Sequence, residues 1–293
     1  MSAVADPASN ASWIRGKNCM VTGVTNGIGR VTAIELAKMG ARMFLVCRDR
    51  GRGDALAAEI AERTGNRDVT LLVGDLASQA DIRRLAGEFL ARGEPLHVLV
   101  NNAGVVNMNR EITRDGIEGT FAVNHLAYFM LTMLLLDRIK QSAPARIVNV
   151  TSDLHQRGTM NFTDPGLADG YGWMRSYSQS KLANILFTYE LARRLEGAGV
   201  TVTCCHPGAV ATNLGKNNGI FARGVVALLG PFMRTPEKGA RTQIWLASSR
   251  DVEGRTGKYY IDCAERQSSK ESHDAEAARR LWEMSAKMTG VTA

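Results

Sequence analysis

Two groups of residues in this chain have types and spacings that could do chemistry. In Tyr177-Ser178-Gln179-Ser180-Lys181 a phenol and an ammonium stand four residues apart, which puts both on one face of a helix. A free phenol titrates at about 10, and a neighbouring cation favours the phenolate. The pair predicts a group able to give or take the proton of an alcohol near neutral pH. Ser152 follows the apolar run Ile147–Val150. At that strand end it could hydrogen-bond a substrate oxygen beside the phenol, or cap a turn. Asn124 interrupts a helical stretch, where asparagine is a mediocre former. It reads as a satisfied core amide or as a residue with a local task such as holding a water.

The second group is Thr22-Gly23-Val24-Thr25-Asn26-Gly27-Ile28-Gly29, between a short apolar strand and a helical pattern. Glycines in that context serve a tight turn, backbone approach to a phosphate, and close helix–sheet packing. The helix N-terminus then offers free N–H groups and partial positive charge to a pyrophosphate. Gly23, Thr25, Asn26, Gly27, Ile28 and Gly29 are therefore expected to hold a dinucleotide. About 20 residues on, an acidic residue would hold the ribose hydroxyl of NAD. This chain has Arg48 there, with Arg52 nearby, and an arginine fork suits a 2′-phosphate. The expected cofactor is NADP(H); the other reading leaves Arg48 in solvent and gives the ribose to Asp49.

The elements that must position these groups alternate strand and helix over 293 residues. Strands are expected at Cys19–Gly23, Met43–Cys47, Val69–Val73, Val98–Val100, Ile147–Val150, Val200–Cys205 and, last, Lys258–Ile261. Helices fall between them: Ile28–Met39, Ala55–Arg63, Ser78 (as cap) to Ala91, roughly 112–140, Ser176–Glu196, one opened by Pro236, and Ala275–Lys287. Such alternation implies an α/β fold, a parallel sheet covered on both faces. No repeat or linker divides it, so one domain is expected over 16–293, with residues 1–15 as an extension and 213–235 as an irregular apolar insertion. Hydrophobic residues at 45% and charged residues at 22% exclude disorder as the main state. The net charge of +7 is modest, and without a Lys/Arg tract it does not point to nucleic acid. Five cysteines without a C-x-x-C pair read as reduced, buried thiols, with no metal motif. Residues 1–14 lack signal-peptide features, and the apolar run Leu126–Leu136 is about half a membrane span. A cytoplasmic location is the expectation.

Taken together, TGVTNGIG (22–29), Asp75-Leu76, NNAG (101–104), Asn124, Ser152, YSQSK (177–181) and HPGAVATNL (206–214) resemble the short-chain dehydrogenase/reductase family. The resemblance implies a single Rossmann-type domain with a seven-stranded parallel sheet. It implies Tyr177 as acid/base, Lys181 as the group that lowers its pKa and holds the nicotinamide ribose, and Ser152 as the residue positioning the carbonyl or alcohol. Asn124 would hold a water in a proton relay with Lys181. Hydride would pass directly between nicotinamide and substrate carbon, without metal. Asp75 and Leu76 would flank the adenine. Asn102, Ala103 and Gly104 would line the adenosine side, and Pro207, Gly208, Val210 and Thr212 the nicotinamide side. VCRD (46–49), SKLANILF (180–187) and GKYYIDC (257–263) look like the retinol dehydrogenase branch. A homo-oligomer is common among such proteins.

Substrate contacts are expected from the loops after the fifth and sixth strands: Leu154, His155, Tyr171 and Trp173 from one, Leu214 and Phe221 from the other. Lone histidines such as His155 and His206 are more often structural. An apolar lining with few polar anchors suits a lipophilic or aromatic aldehyde or ketone and its alcohol. The 213–235 segment is expected to pack as a lid, or else to touch a membrane surface peripherally. Two other functions share these features: a light-dependent reductase of a tetrapyrrole double bond, and a non-catalytic NADP sensor or scaffold.

Overall fold

A computed structural model of the protein describes residues 13–210 and 233–292. In chain order the elements are β1 (Asn18–Thr22), α1 (Gly27–Lys38), β2 (Arg42–Cys47), α2 (Arg50–Thr64), β3 (Val69–Val73), α3 (Gln79–Leu90) and β4 (Val98–Asn101). Then come α4 (Gly119–Gln141), β5 (Ala145–Val150), α5 (Trp173–Arg194), β6 (Val200–His206), α6 (Pro236–Ser248), β7 (Lys258–Ile261), β8 (Ala264–Arg266) and α7 (Ala275–Thr289).

The strands form one sheet in the order β3-β2-β1-β4-β5-β6-β7-β8. The first seven are parallel, and β8 pairs antiparallel with β7. Strand order reverses between β1 and β4, and in such sheets a crevice opens outside the carboxyl ends at that point. Both sheet faces are buried, so alternate strand residues enter opposite cores. Cys19, Val21, Met43 and Leu45 pack with α1, α2 and α6 on one face. Met20, Phe44, Leu99 and Ile147 pack with α3, α4, α5 and Trp282 of α7 on the other.

Four expectations need correction. Lys258–Ile261 is not the last strand: Asp262-Cys263 turn the chain back into β8. Both turn residues have positive φ, 53° and 58°, as a two-residue hairpin requires, but neither is the glycine or asparagine that would have signalled it. The helix expected from 112 begins at Gly119. Residues 112–118 form a small antiparallel bridge, Ile112 with Glu118, turning at Gly116 with φ +76°. The buried Glu118 carboxylate then accepts from Thr120 N and Phe121 N, each at 2.8 Å, and this cap fixes where the helix starts. Helix α4 is also long and apolar enough to cross a membrane, unlike its central run alone, but 78% of its apolar window is buried inside the protein. Finally Ile14, assigned to the extension, has no exposed surface and belongs to the core.

Candidate active site

The carboxyl ends of β1, β2, β4, β5 and β6 surround a cleft of about 690 Å³. Its floor is the turn after β1. Gly23 has φ +70°, and a Cβ there would lie 2.7 Å from Ala103 Cα. Gly27 also has positive φ. A Cβ on Gly29 would strike the Gly23 carbonyl and the Asn102 amide. The turn therefore has room for glycine alone at these points. The cap of α1, Asn26, makes no side-chain capping bond, and the first turn carries no acid. Its N–H groups and dipole thus face the cleft without an internal anion. Gly23, Thr25, Asn26, Gly27, Ile28 and Gly29 all line the cleft.

Neighbouring strand ends are tied to this turn. Thr22 Oγ1 accepts from Asn102 N at 2.9 Å and Ala103 N at 3.0 Å. Asn102 Nδ2 donates to the Thr22 carbonyl at 2.8 Å, and Tyr128 Oη donates to that of Ala103 at 2.8 Å. Asn102, Ala103, Gly104, Asp75 and Leu76 all line the cleft. So do Arg48, Asp49 and Arg52 at the end of β2. The Asp49 carboxylate is committed to capping α2, accepting from Arg52 N at 3.0 Å. Arg48 is exposed.

Opposite stand Tyr177, Lys181 and Ser152. Tyr177 and Lys181 lie on α5, with Nζ of Lys181 5.5 Å from the Tyr177 ring centre. Lys181 is buried and donates to the Val150 carbonyl at 3.2 Å. Ser152 follows β5 and lines the same cleft as Tyr177. Ser152, Tyr177 and Lys181 all line the cleft. Their electrostatics differ from the sequence expectation. Burial pushes the Tyr177 phenol up to about 12, against the opposing pull of Ser152, and pushes Lys181 down to about 8. In both groups desolvation is the largest cause of the shift, since burial disfavours the charged form of each. At that value the phenol is protonated at neutral pH.

Asn124 is placed differently. It sits in a π-helical turn, Ala122–Leu126, a feature frequent at functional sites. Its Oδ1 accepts from Val105 N at 2.8 Å, and its Nδ2 donates to the Val105 carbonyl and to Ser180 Oγ, each at 3.0 Å. It is buried and does not line the cleft. The side chain clasps the segment after Gly104, as a satisfied core amide would.

Of the expected substrate contacts, Leu154 and Trp173 line the cleft, and two do not. His155 is fully buried, with both ring nitrogens engaged. Tyr171 turns its hydroxyl to the Asn107 carbonyl at 2.7 Å. Both serve as struts because each polar tip found a main-chain partner. Leu214, Phe221 and Thr212 lie outside the described residues. Pro207, Gly208 and Val210 line the cleft. The sequence reading missed Val105, Val106, Val123, Asp153 and His206 as lining residues. His206 had a legible signal: it ends a strand just before Pro207-Gly208.

Comparison with known proteins agrees with this arrangement. A sequence model of the short chain dehydrogenase family matches residues 17–220, and the chain belongs to that family. Retinol dehydrogenase 14 of Mus musculus is 44% identical over 291 residues, covering 95% of this chain and 87% of that protein. Retinol dehydrogenase 11 of Homo sapiens is 44% identical over 276 residues, covering 94% and 86%. Among solved structures, an uncharacterised protein from Mycobacterium paratuberculosis superposes with a TM-score of 0.79 at 30% identity, covering 99% and 98% of the two chains. The NADP complex of Pseudomonas aeruginosa RhlG gives a TM-score of 0.67 at 26% identity, covering 87% and 96%. The chain is thus an oxidoreductase acting on CH–OH and C=O groups of small molecules, with a nicotinamide cofactor.

Proposed function

We propose that the protein is an NADP(H)-dependent oxidoreductase that interconverts a lipophilic aldehyde or ketone and its alcohol. The observation that carries this reading is the convergence of Ser152, Tyr177 and Lys181 on a cleft whose floor is the glycine turn. The residues present fit a dinucleotide: a turn closed to any Cβ, an uncapped helix N-terminus, and Arg48 at the β2 end. Bound there, the nicotinamide supplies or accepts the hydride. Gly23, Gly27 and Gly29 let main-chain N–H groups approach the pyrophosphate. Arg48, with Arg52 beside it, neutralises the 2′-phosphate, since Asp49 is occupied as a cap. The relative crystallised with NADP supports the same preference.

Ser152 Oγ anchors the substrate oxygen and sets it beside the phenol. Tyr177, protonated at neutral pH, gives its proton to the developing alkoxide of a carbonyl substrate. In the opposite direction it takes the proton of an alcohol, which needs additional positive charge near the phenol. Lys181, beside the Tyr177 ring, supplies that charge, and an oxidised nicotinamide bound in the cleft would add to it. Leu154, Trp173 and Met233 bring apolar surface to the substrate side. With relatives named retinol dehydrogenases, a retinoid is the first substrate to try, followed by long-chain aldehydes and aromatic ketones.

The test is NADPH oxidation at 340 nm across that panel, with NADH in parallel. Wild type turns over at least one member, and Tyr177→Phe loses roughly 1,000-fold in turnover while binding NADPH within about twofold of wild type. Undiminished turnover by Tyr177→Phe removes Tyr177 as the acid/base. Tight NADPH binding with no turnover across the panel favours the sensor reading.

A further inference from the structure

Ser152 has little local hold on its own direction. It stands in extended conformation, φ −152° and ψ 153°, before the short 3-10 turn Asp153–Arg157. Its Oγ accepts from Leu154 N only at 3.3 Å. The peptide unit joining Ser152 to Asp153 is instead gripped from both ends. Its carbonyl oxygen lies 2.7 Å from His155 Nδ1, and its N–H donates to His206 Nδ1 at 3.1 Å.

These contacts define the two imidazoles. The Ser269 N–H donates to His155 Nε2 at 3.0 Å. A main-chain N–H can only donate, so His155 Nε2 is bare and its proton is on Nδ1, aimed at the Ser152 carbonyl. The same rule makes His206 Nδ1 bare and places its proton on Nε2. The two rings therefore hold one peptide as opposite tautomers.

Each ring is itself fixed. His155 is fully buried and packs edge-on to Tyr259 of β7, ring centres 5.1 Å apart. His206 ends β6 and is in register with Ile261 of β7. Burial keeps both imidazoles below the ordinary histidine range, His206 at about 4, so the neutral tautomers persist at neutral pH. Asp153 and Glu271 face His155, and Asp153, Arg234 and Asp262 face His206.

We propose that His155 and His206 form a clamp on the Ser152–Asp153 peptide that presents Ser152 Oγ to the reacting oxygen, both acting as positioning residues. This rests on the reading of Ser152 as the substrate anchor. It also ties that serine to the segment after β8, through Ser269.

Two measurements test it. Long-range proton–nitrogen correlation NMR on the full-length protein without ligand reports histidine tautomers. The expected result is His206 protonated on Nε2 and His155 on Nδ1. The reverse at either ring overturns the clamp, whatever the enzyme turns over. The second is kinetic. His206→Leu removes the acceptor and lowers kcat by at least about tenfold, as a misplaced anchor should, with KM for NADPH within about twofold. His206→Asn puts an amide oxygen near the lost Nδ1 and restores kcat to within about threefold of wild type. Equal kcat for the leucine and asparagine variants, or an unchanged kcat in the leucine variant, overturns the positioning role. Undiminished turnover by Ser152→Ala is separate: it overturns the anchor reading and with it the purpose of the clamp, while leaving the tautomers as stated.

Discussion

The two walls of the cleft are built by different means. The wall made by the β1–α1 turn is main chain. Its specificity lies in what is missing: no Cβ at Gly23 or Gly29, no side-chain cap on α1, no acid in its first turn. The opposite wall is side chain. There Tyr177, Ser152, Lys181 and the histidines behind them are held by bonds between residues far apart in sequence, such as His155 with Ser269. A main-chain wall recognises a ligand common to many proteins, because phosphate needs only N–H groups and a dipole. A side-chain wall can be tuned, because each polar tip depends on a partner from another element.

The difference can be broken open by experiment. Of the effects on cofactor binding and stability, the largest is expected at the main-chain wall. Gly29→Ala drives a Cβ into the Gly23 carbonyl and should cost about 100-fold in NADPH affinity, about 2.7 kcal/mol, measured by fluorescence titration. An affinity within a few fold of wild type would show that the turn tolerates side chains.

Acid should loosen the side-chain wall. His125, fully buried behind α5, has its pKa held down to about 4 by desolvation. In the unfolded chain it returns to about 6.5. Between those values the unfolded state binds the extra proton, so stability is complete above about 6.5 and falls as pH drops toward 4. From pH 7 to 5 this one group should cost about 2 kcal/mol, read from urea unfolding at the two pH values. Equal midpoints would mean that His125 is not buried neutral.

The smallest effect concerns the edge of the cofactor wall, where one side chain does select. Arg48→Asp should weaken NADPH by at least about tenfold, about 1.4 kcal/mol, and leave NADH nearly unaffected. An unchanged preference would place phosphate recognition elsewhere.

How much of this was legible follows the same division. The glycine turn was readable because its residues are consecutive and each spacing has a local steric cause. Strands β3 and β7 were readable to the residue because Gly74 follows the run Val69–Val73 and Gly257 precedes Lys258–Ile261, and glycine punctuates such runs. Strand β8 was not readable, because Cys263 adopts positive φ where the glycine of an Asp-Gly turn would have signalled the hairpin. The start of α4 was misplaced because its cap is the Glu118 carboxylate, accepting from Thr120 N and Phe121 N, and apolar spacing alone cannot show it. Among site residues, Tyr177 and Lys181 were visible as one helix face. The burial that raises one pKa and lowers the other was not.

By itself, then, the sequence determined the alternating elements, the glycine turn and the placing of Tyr177 and Lys181 on one helix face, since these depend on neighbours within about one helical turn. The tertiary structure decided which polar tips face the cleft and which face inward. His155 and Tyr171 looked like substrate contacts and became struts, because main-chain partners distant in sequence lay within hydrogen-bond reach. A buried polar atom goes to whatever partner folding brings near it, and one-dimensional spacing does not contain that information.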